Sequence, residues 1–130
     1  RSQSAALLYR ITSEKKYLQD AQRLAAACYN RFFSHDSLSG RKYKVLNRGD
    51  VWFTAIMFRG FVELYGIDRN SLYIDAFREN LDFAWTVMRE KNGLFNDDWS
   101  GKTKNDSKWL LTQFAMVEMY ARLAILNCNL

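Results

Sequence analysis

The sequence predicts an all-α fold of helical hairpins, with inner and outer helices alternating in a partial (α/α) toroid of about five helices. Three observations lead there. The first is a repeat: Val62-Glu63-Leu64-Tyr65 returns 55 residues later as Val117-Glu118-Met119-Tyr120, and Leu7-Leu8-Tyr9 stands as a fainter copy upstream. The second is an alternation of helices that are apolar nearly all round with helices that have one wet face. Burial on every side makes the first kind an inner layer and the second an outer one. A four-helix bundle gives each helix a wet face, and tetratricopeptide or armadillo-like repeats are too short for this interval. The third is the absence of proline among 130 residues, where about 5% is usual. Proline removes a donor and clashes with the preceding turn, so a mostly helical chain avoids it.

The elements follow in order. A first helix over residues 2–11 carries Ala5, Leu8 and Tyr9 on one side. Thr12 and Ser13 offer hydroxyl caps for a second helix reaching about Phe33, whose Tyr17, Leu18, Ala21, Leu24, Ala25, Cys28 and Phe32 recur at helical spacing. A polar stretch over 34–50 has Gly40 and Gly49 as breakers, with weak alternation over 43–46 suggesting a short extended piece. The third helix, from Val51 to about Tyr65, is apolar almost throughout and is expected to stop at Gly66. Asn70 or Ser71 caps a fourth, amphipathic helix reaching about Glu90, and Asn92-Gly93 ends it. After a loop over 94–105, the fifth helix follows Asp106 and Ser107 and is again apolar nearly throughout.

Composition narrows the function. Apolar residues at 48% and charged residues at 25% suit one globular domain over residues 1–130. The net charge of +5 is dispersed, and its densest cluster, Arg41-Lys42-Tyr43-Lys44, is short. Nucleic-acid binders concentrate charge in a stripe, so no nucleic-acid partner is expected. Cys28 and Cys128 make no disulfide framework, and no apolar run reaches the length of a membrane span. His35 is the only histidine, so neither a metal site nor a cofactor is expected. There is no Gly-rich phosphate loop and no nucleophile elbow. An aromatic content of 15% suits packed seams, a carbohydrate-facing cleft, or both. The chain starts inside a helical pattern without an initiator Met, which suggests a segment of a longer helical repeat. Such a segment is expected to expose the flanks of its first and fifth helices, and therefore to associate with a copy of itself or with the rest of the protein.

Ordered motifs extend this picture. Leu8-Tyr9-Arg10-Ile11-Thr12, with Lys16-Tyr17-Leu18 and Ala21, resembles the "LYRxT…YL…A" hairpin of glycoside hydrolase family 76, the bacterial and fungal α-1,6-mannanases. Phe53-Thr54-Ala55-Ile56-Met57-Phe58-Arg59-Gly60 resembles that family's "FKGIFxRG" helix, with Thr54 and Ala55 in place of its Lys and Gly. Asp98-Trp99-Ser100-Gly101, then Leu110-Leu111-Thr112-Gln113 and Val117-Glu118-Met119, resemble its closing "W-G…Q…ALE" helix. The resemblance implies an (α/α)6 barrel and retaining hydrolysis of α-1,6-mannosidic bonds by two carboxylates. It also implies a mannan-type carbohydrate partner, an extracytoplasmic location, and a chain that is the C-terminal part of the enzyme. The family's adjacent catalytic aspartates lie upstream of the first hairpin matched here, so no catalytic residue is assigned within these 130.

Asp97-Asp98 resembles a catalytic pair, since glycoside hydrolysis uses two carboxylates, but the family pattern places it in the "W-G" loop. It reads as a turn-forming loop or an acceptor for sugar hydroxyls. The loops leading into the third and fifth helices should open on one end of the barrel. Asp50, Trp52, Asp97, Asp98 and Trp99 are therefore the candidate substrate-binding residues, carboxylates for hydroxyls and indoles for the apolar ring face. Core packing is the alternative for Trp52. Arg59 and Glu118 are expected to pair between inner helices, and Gln113 to satisfy backbone groups. A non-catalytic glycan-binding module and a helical protein-interaction module remain alternative functions.

Overall fold

The structure is a computed structural model and describes residues 1–36, 40–47 and 50–128. Five α-helices are present among them: α1 Ser2–Thr12, α2 Lys15–Phe32, α3 Val51–Asp68, α4 Leu72–Phe83 and α5 Leu110–Cys128. Two short strands, β1 Phe33–Ser34 and β2 Val45–Leu46, pair antiparallel between α2 and α3.

The two predicted layers are present. Helix α3 lies between α1 and α5 in the inner layer. Gly60 backs onto Ser2 and Gln3, where a Cβ would stand 3.3 Å from the start of α1, while Arg10 near the end of α1 reaches Glu63 at 3.2 Å. On the other side Arg59 meets Glu118, each the ninth residue of its helix. Helix α4 runs opposite to both, its Tyr73 and Phe77 meeting Phe61 and Phe58 of α3 and its Arg78 and Leu81 meeting Asn127 and Tyr120 of α5, so α3 and α5 are parallel and present their N-termini at the same end. The outer helices also run parallel to each other: the Tyr29 ring is 5.4 Å from Tyr73, and Phe33, just past α2, is 5.4 Å from Phe77.

Aromatic rings join the layers. Phe77 of α4 is fully buried against Phe58 (4.5 Å), Phe61 (5.6 Å) and Phe33, linking outer helix, inner helix and hairpin. Asn80, one turn on, is also fully buried. Its side chain accepts from the Leu46 N–H (3.1 Å) and donates to the Lys44 carbonyl (3.0 Å), supplying partners for hairpin groups that water cannot reach. Tyr120 of α5 donates its hydroxyl to the Leu81 carbonyl of α4, and burial pushes its pKa up.

Several boundaries differ from the sequence expectation. Helix α3 passes Gly66 and ends two residues later, where Arg69 takes the left-handed conformation at φ 56° and its N–H bonds the Tyr65 carbonyl. Thr12 and Ser13 close α1 rather than capping α2. The Thr12 hydroxyl donates to Leu8, Ser13 sits at φ 58°, and Glu14 occupies the cap position of α2. Of the two candidate caps for α4, Asn70 supplies the side-chain acceptor, for Leu72 N–H. Helix α4 widens into a π-helical turn, Ala84–Met88, before Arg89 bridges to Phe95. Gly49, expected as a breaker, lies outside the described residues.

The all-round apolar character of α3 and α5 does not translate into burial on every side. Phe53 is 64% exposed, and Leu110, Phe114, Val117 and Ile125 form an exposed stripe along α5. Leu7, Leu8 and Ile11 are exposed on α1. No helix among the described residues is long and apolar enough to cross a membrane.

Candidate functional site

The segment between Met88 and α5 carries most of the candidate chemistry, and its conformation is fixed from below. Asn96 is 3% exposed. Its amide donates to Met88 O (3.1 Å) and Glu90 (3.2 Å), and its oxygen accepts from the Asn105 N–H (2.7 Å) and Lys108 (2.8 Å). Lys108 also pairs with Glu90 and with the Asn105 carbonyl, so all three ammonium hydrogens have acceptors. Gln113 clasps the backbone of Phe95 at both N–H (2.7 Å) and C=O (2.9 Å), as expected of a glutamine that satisfies backbone groups. A long non-helical segment stays ordered because side chains occupy its polar backbone.

Arg41 provides the tie from the other side. Its guanidinium donates to the Trp99 carbonyl (3.2 Å), lies 3.9 Å above the Phe83 ring and pairs with Asp36 at 3.8 Å. In the sequence this residue was one cation in a short basic cluster. Its role depends on tertiary packing, and no local signal announces it. Gly101 must be glycine: at φ +75° its Cβ would also stand 2.6 Å from Val87.

A cleft of about 350 Å³ opens between the hairpin and this loop. Ser34, His35, Asp36 and Asn47 line one wall, Asp97, Asp98, Ser100 and Lys102 the other, with Val45, Leu46 and Trp99 also lining it. Three of the five predicted residues, Asp97, Asp98 and Trp99, are thus gathered there. Asp50 and Trp52 are not part of its lining. Asp50 caps α3, accepting from the Phe53 N–H at 3.0 Å, and half-buried Trp52 lies under the Arg59 guanidinium, 5.6 Å from the ring. Sequence reasoning missed the hairpin wall. Only the weak alternation over 43–46 hinted that a strand would bring it close.

The adjacent aspartates have unequal roles. Asp98 is partly buried, which raises its pKa, but four hydrogen bonds outweigh that and hold it at about 2. One oxygen accepts from the N–H and hydroxyl of Ser100 (2.8 and 2.7 Å), the other from those of Thr103 (2.9 and 2.8 Å). A carboxylate has about four acceptor positions, so Asp98 is saturated by its own loop. Asp97 is exposed and tied on one side alone, through Asn105. Trp99 is 4% exposed, and its indole N–H has no partner among the described residues.

This assignment carries a pH signature. A group whose folded pKa is depressed stabilises the fold above its unfolded pKa, and that stability is lost as pH falls through the folded value. For Asp98 the fall from 3.8 to about 2, discounted for solvent screening of a group that is only partly buried, corresponds to about 1 kcal/mol. Asp98→Asn is therefore expected to destabilise the chain by about 1 kcal/mol at pH 7, and the gap should close between pH 4 and pH 2. Urea unfolding of both proteins across that range measures it, and a gap independent of pH contradicts the role given to Asp98.

Arg59 and Glu118 form the expected pair between inner helices, with nitrogens 2.5 and 2.7 Å from the carboxylate, and Arg122 adds a third contact at 3.0 Å. These bonds lower the Glu118 pKa and raise that of Arg59. Glu63 is held similarly by Arg10, so the glutamate of each repeated Val-Glu string takes an arginine from the preceding inner helix. No group of three or more metal-ligating side chains occurs among the described residues.

The family model of glycosyl hydrolase family 76 matches residues 2–129. The chain belongs to family 76. Solved structures agree with this family 76 fold, the (α/α)6 barrel. A family 76 glycoside hydrolase from a bovine Bacteroides thetaiotaomicron strain superposes with a TM-score of 0.89 at 37% identity, over 97% of this chain and 28% of its own. A family 76 glycoside hydrolase from Bacteroides thetaiotaomicron, described as a mannosidase, gives 0.88 at 39% identity, over 98% of this chain and 35% of its own. The family 76 chain described here thus spans about a third of the length of these relatives. No curated protein matches it.

Proposed function

We propose that this chain is the C-terminal part of a glycoside hydrolase that cuts α-1,6-linked mannan with retention of configuration, the catalytic aspartate pair lying upstream of it. The observation that carries this reading is the match over residues 2–129 to family 76, together with the likeness to a family 76 mannosidase at 39% identity. The local chemistry supports the division of labour. A retaining glycosidase needs a nucleophile and a protonatable acid about 5 Å apart. Asp98, saturated and held at about 2, stays ionised and serves its loop. Asp97 has an oxygen for a sugar hydroxyl but no second carboxylate ready to act as the acid. In this reading the cleft between the hairpin and the loop over 97–102 binds sugar hydroxyls at the end of the barrel where α3 and α5 begin. The exposed stripes of α1 and α5 are the faces on which the remaining helices of the barrel pack.

The linkage is tested by incubating the intact protein with linear α-1,6-mannan and with α-1,2- and α-1,3-linked manno-oligosaccharides. Release of reducing ends from the α-1,6 polymer at least about a hundredfold faster is expected, a preference of about 2.7 kcal/mol. Equal rates on all three would remove the linkage claim, and no turnover of any would favour a non-catalytic glycan-binding role.

A further inference from the structure

Beside the cleft already described, a second one of about 220 Å³ is lined by Phe95, Asp97, Asn105, Ser107, Lys108, Trp109 and Thr112. Asp97 is the residue common to both clefts. We propose that Trp109 and Asp97 form a second sugar subsite in this cleft, the indole stacking on the ring and the carboxylate taking hydroxyls, with Asp97 shared by sugars in the two clefts. The proposal rests on the carbohydrate reading above and adds to it a position and two residues.

Trp109 is 71% exposed, an unusual state for the largest apolar side chain, yet its backbone is fixed. Its carbonyl accepts from the Gln113 N–H (3.2 Å), and the Gln113 side chain is clasped to Phe95. The indole therefore stands on a rigid base, as a stacking platform requires. It is also separate from the apolar stripe of α5. That stripe runs through Leu110, Phe114 and Val117, whereas a residue at 109 falls above 112 and 113, about 100° round the helix. The neighbours there are a threonine and a glutamine, and the cleft below holds an acid, an amide and a serine.

Asp97 is set for a hydroxyl ligand. Its N–H donates to the Asn105 side chain (2.9 Å), which returns a bond to Oδ1 (3.0 Å), while Oδ2 accepts no hydrogen bond among the described residues. The one cation in the cleft, Lys108, already has three acceptors. An anionic ligand would thus meet a bare carboxylate and a committed ammonium. A neutral polyhydroxylated ring with an apolar face suits an indole beside a carboxylate.

Isothermal titration of the 130-residue chain with α-1,6-mannobiose tests this. Trp109→Ala should weaken binding roughly tenfold and Asp97→Asn by roughly threefold to tenfold, while Trp109→Phe, which keeps a stacking face, should stay within about threefold of the parent. Thermal unfolding of each variant near the parent value shows that the loss is local. Undiminished binding by Trp109→Ala, or no binding by the parent chain, overturns the subsite. Hydrolysis by the intact protein reports the activity separately. Turnover of α-1,6-mannan with an unchanged KM in Trp109→Ala would retire the subsite and leave the activity standing. Binding through Trp109 without turnover by the intact protein would do the reverse.

Discussion

Phe77→Ala is expected to lower the stability of the chain by about 3–5 kcal/mol, the range for removing a fully buried phenylalanine. The ring has no exposed surface and joins its own helix to two other elements: Phe33 of β1 edge-on at 80°, and Phe58 and Phe61 of α3 at 39° and 72°. Its removal deletes the burial of one large ring and leaves a cavity that three elements would have to shift together to close. Tilted and edge-on aromatic pairs add about 0.5–1.5 kcal/mol each beyond the area buried. Against a typical total of about 5–15 kcal/mol, this is about a fifth of the stability or more. Urea unfolding should show the midpoint fall with little change in slope, and Phe77→Leu should recover part of the loss. A cost under about 1 kcal/mol would show that α4 is held to α3 and the hairpin by other contacts.

The layered architecture was legible because burial leaves a periodic imprint. Asp75, Arg78, Glu79 and Asp82 mark the outer face of α4, and the Val-Glu strings at 62 and 117 mark successive inner helices. The Arg59–Glu118 pair followed from the cost of leaving either charge alone on an apolar helix. Periodicity does not say where the cover comes from. Phe53, Leu110 and Val117 carry the pattern of burial yet are exposed within these 130 residues. Local rules also failed at the end of α3. Gly66 reads as a stop, but α3 continues past it, and its missing side chain leaves room for the Arg10 guanidinium of the neighbouring helix.

The candidate site was legible on one wall. Asp97, Asp98 and Trp99 stood out as acids and an indole in a loop entering an inner helix, and the structure gathers them in one cleft. Asp50 was drawn in by the same reasoning, but aspartate is equally favoured at a helix N-cap, and capping is the role observed. Nothing in residue type separates Asp97 from Asp98. The hydroxyls at 100 and 103 that saturate the second aspartate act through a loop geometry visible in three dimensions alone. The opposite wall, from Ser34 to Asp36 and at Asn47, depends on a two-residue strand pairing that alternation can barely signal.

The larger expected effect concerns catalysis itself. Most of the carboxylates around the two clefts and on the inner helices already have partners. Glu63 is paired with Arg10, Glu90 with Lys108, Glu118 with Arg59 and Arg122, Asp36 with Arg41, and Asp98 with its own loop. Asp97 retains an oxygen for a ligand, but its neighbour Asp98 is held ionised by its own loop and supplies no proton, which a retaining glycosidase needs from one of its two carboxyls. Binding of sugar by this chain and hydrolysis of sugar should therefore separate completely. The measurement that decides this is reducing-end release from linear α-1,6-mannan by the 130-residue chain alone, run beside the intact protein at equal molarity. The expected result is turnover by the intact protein and none above background by the chain. Turnover by the chain alone would place the catalytic acids among these residues and contradict the account.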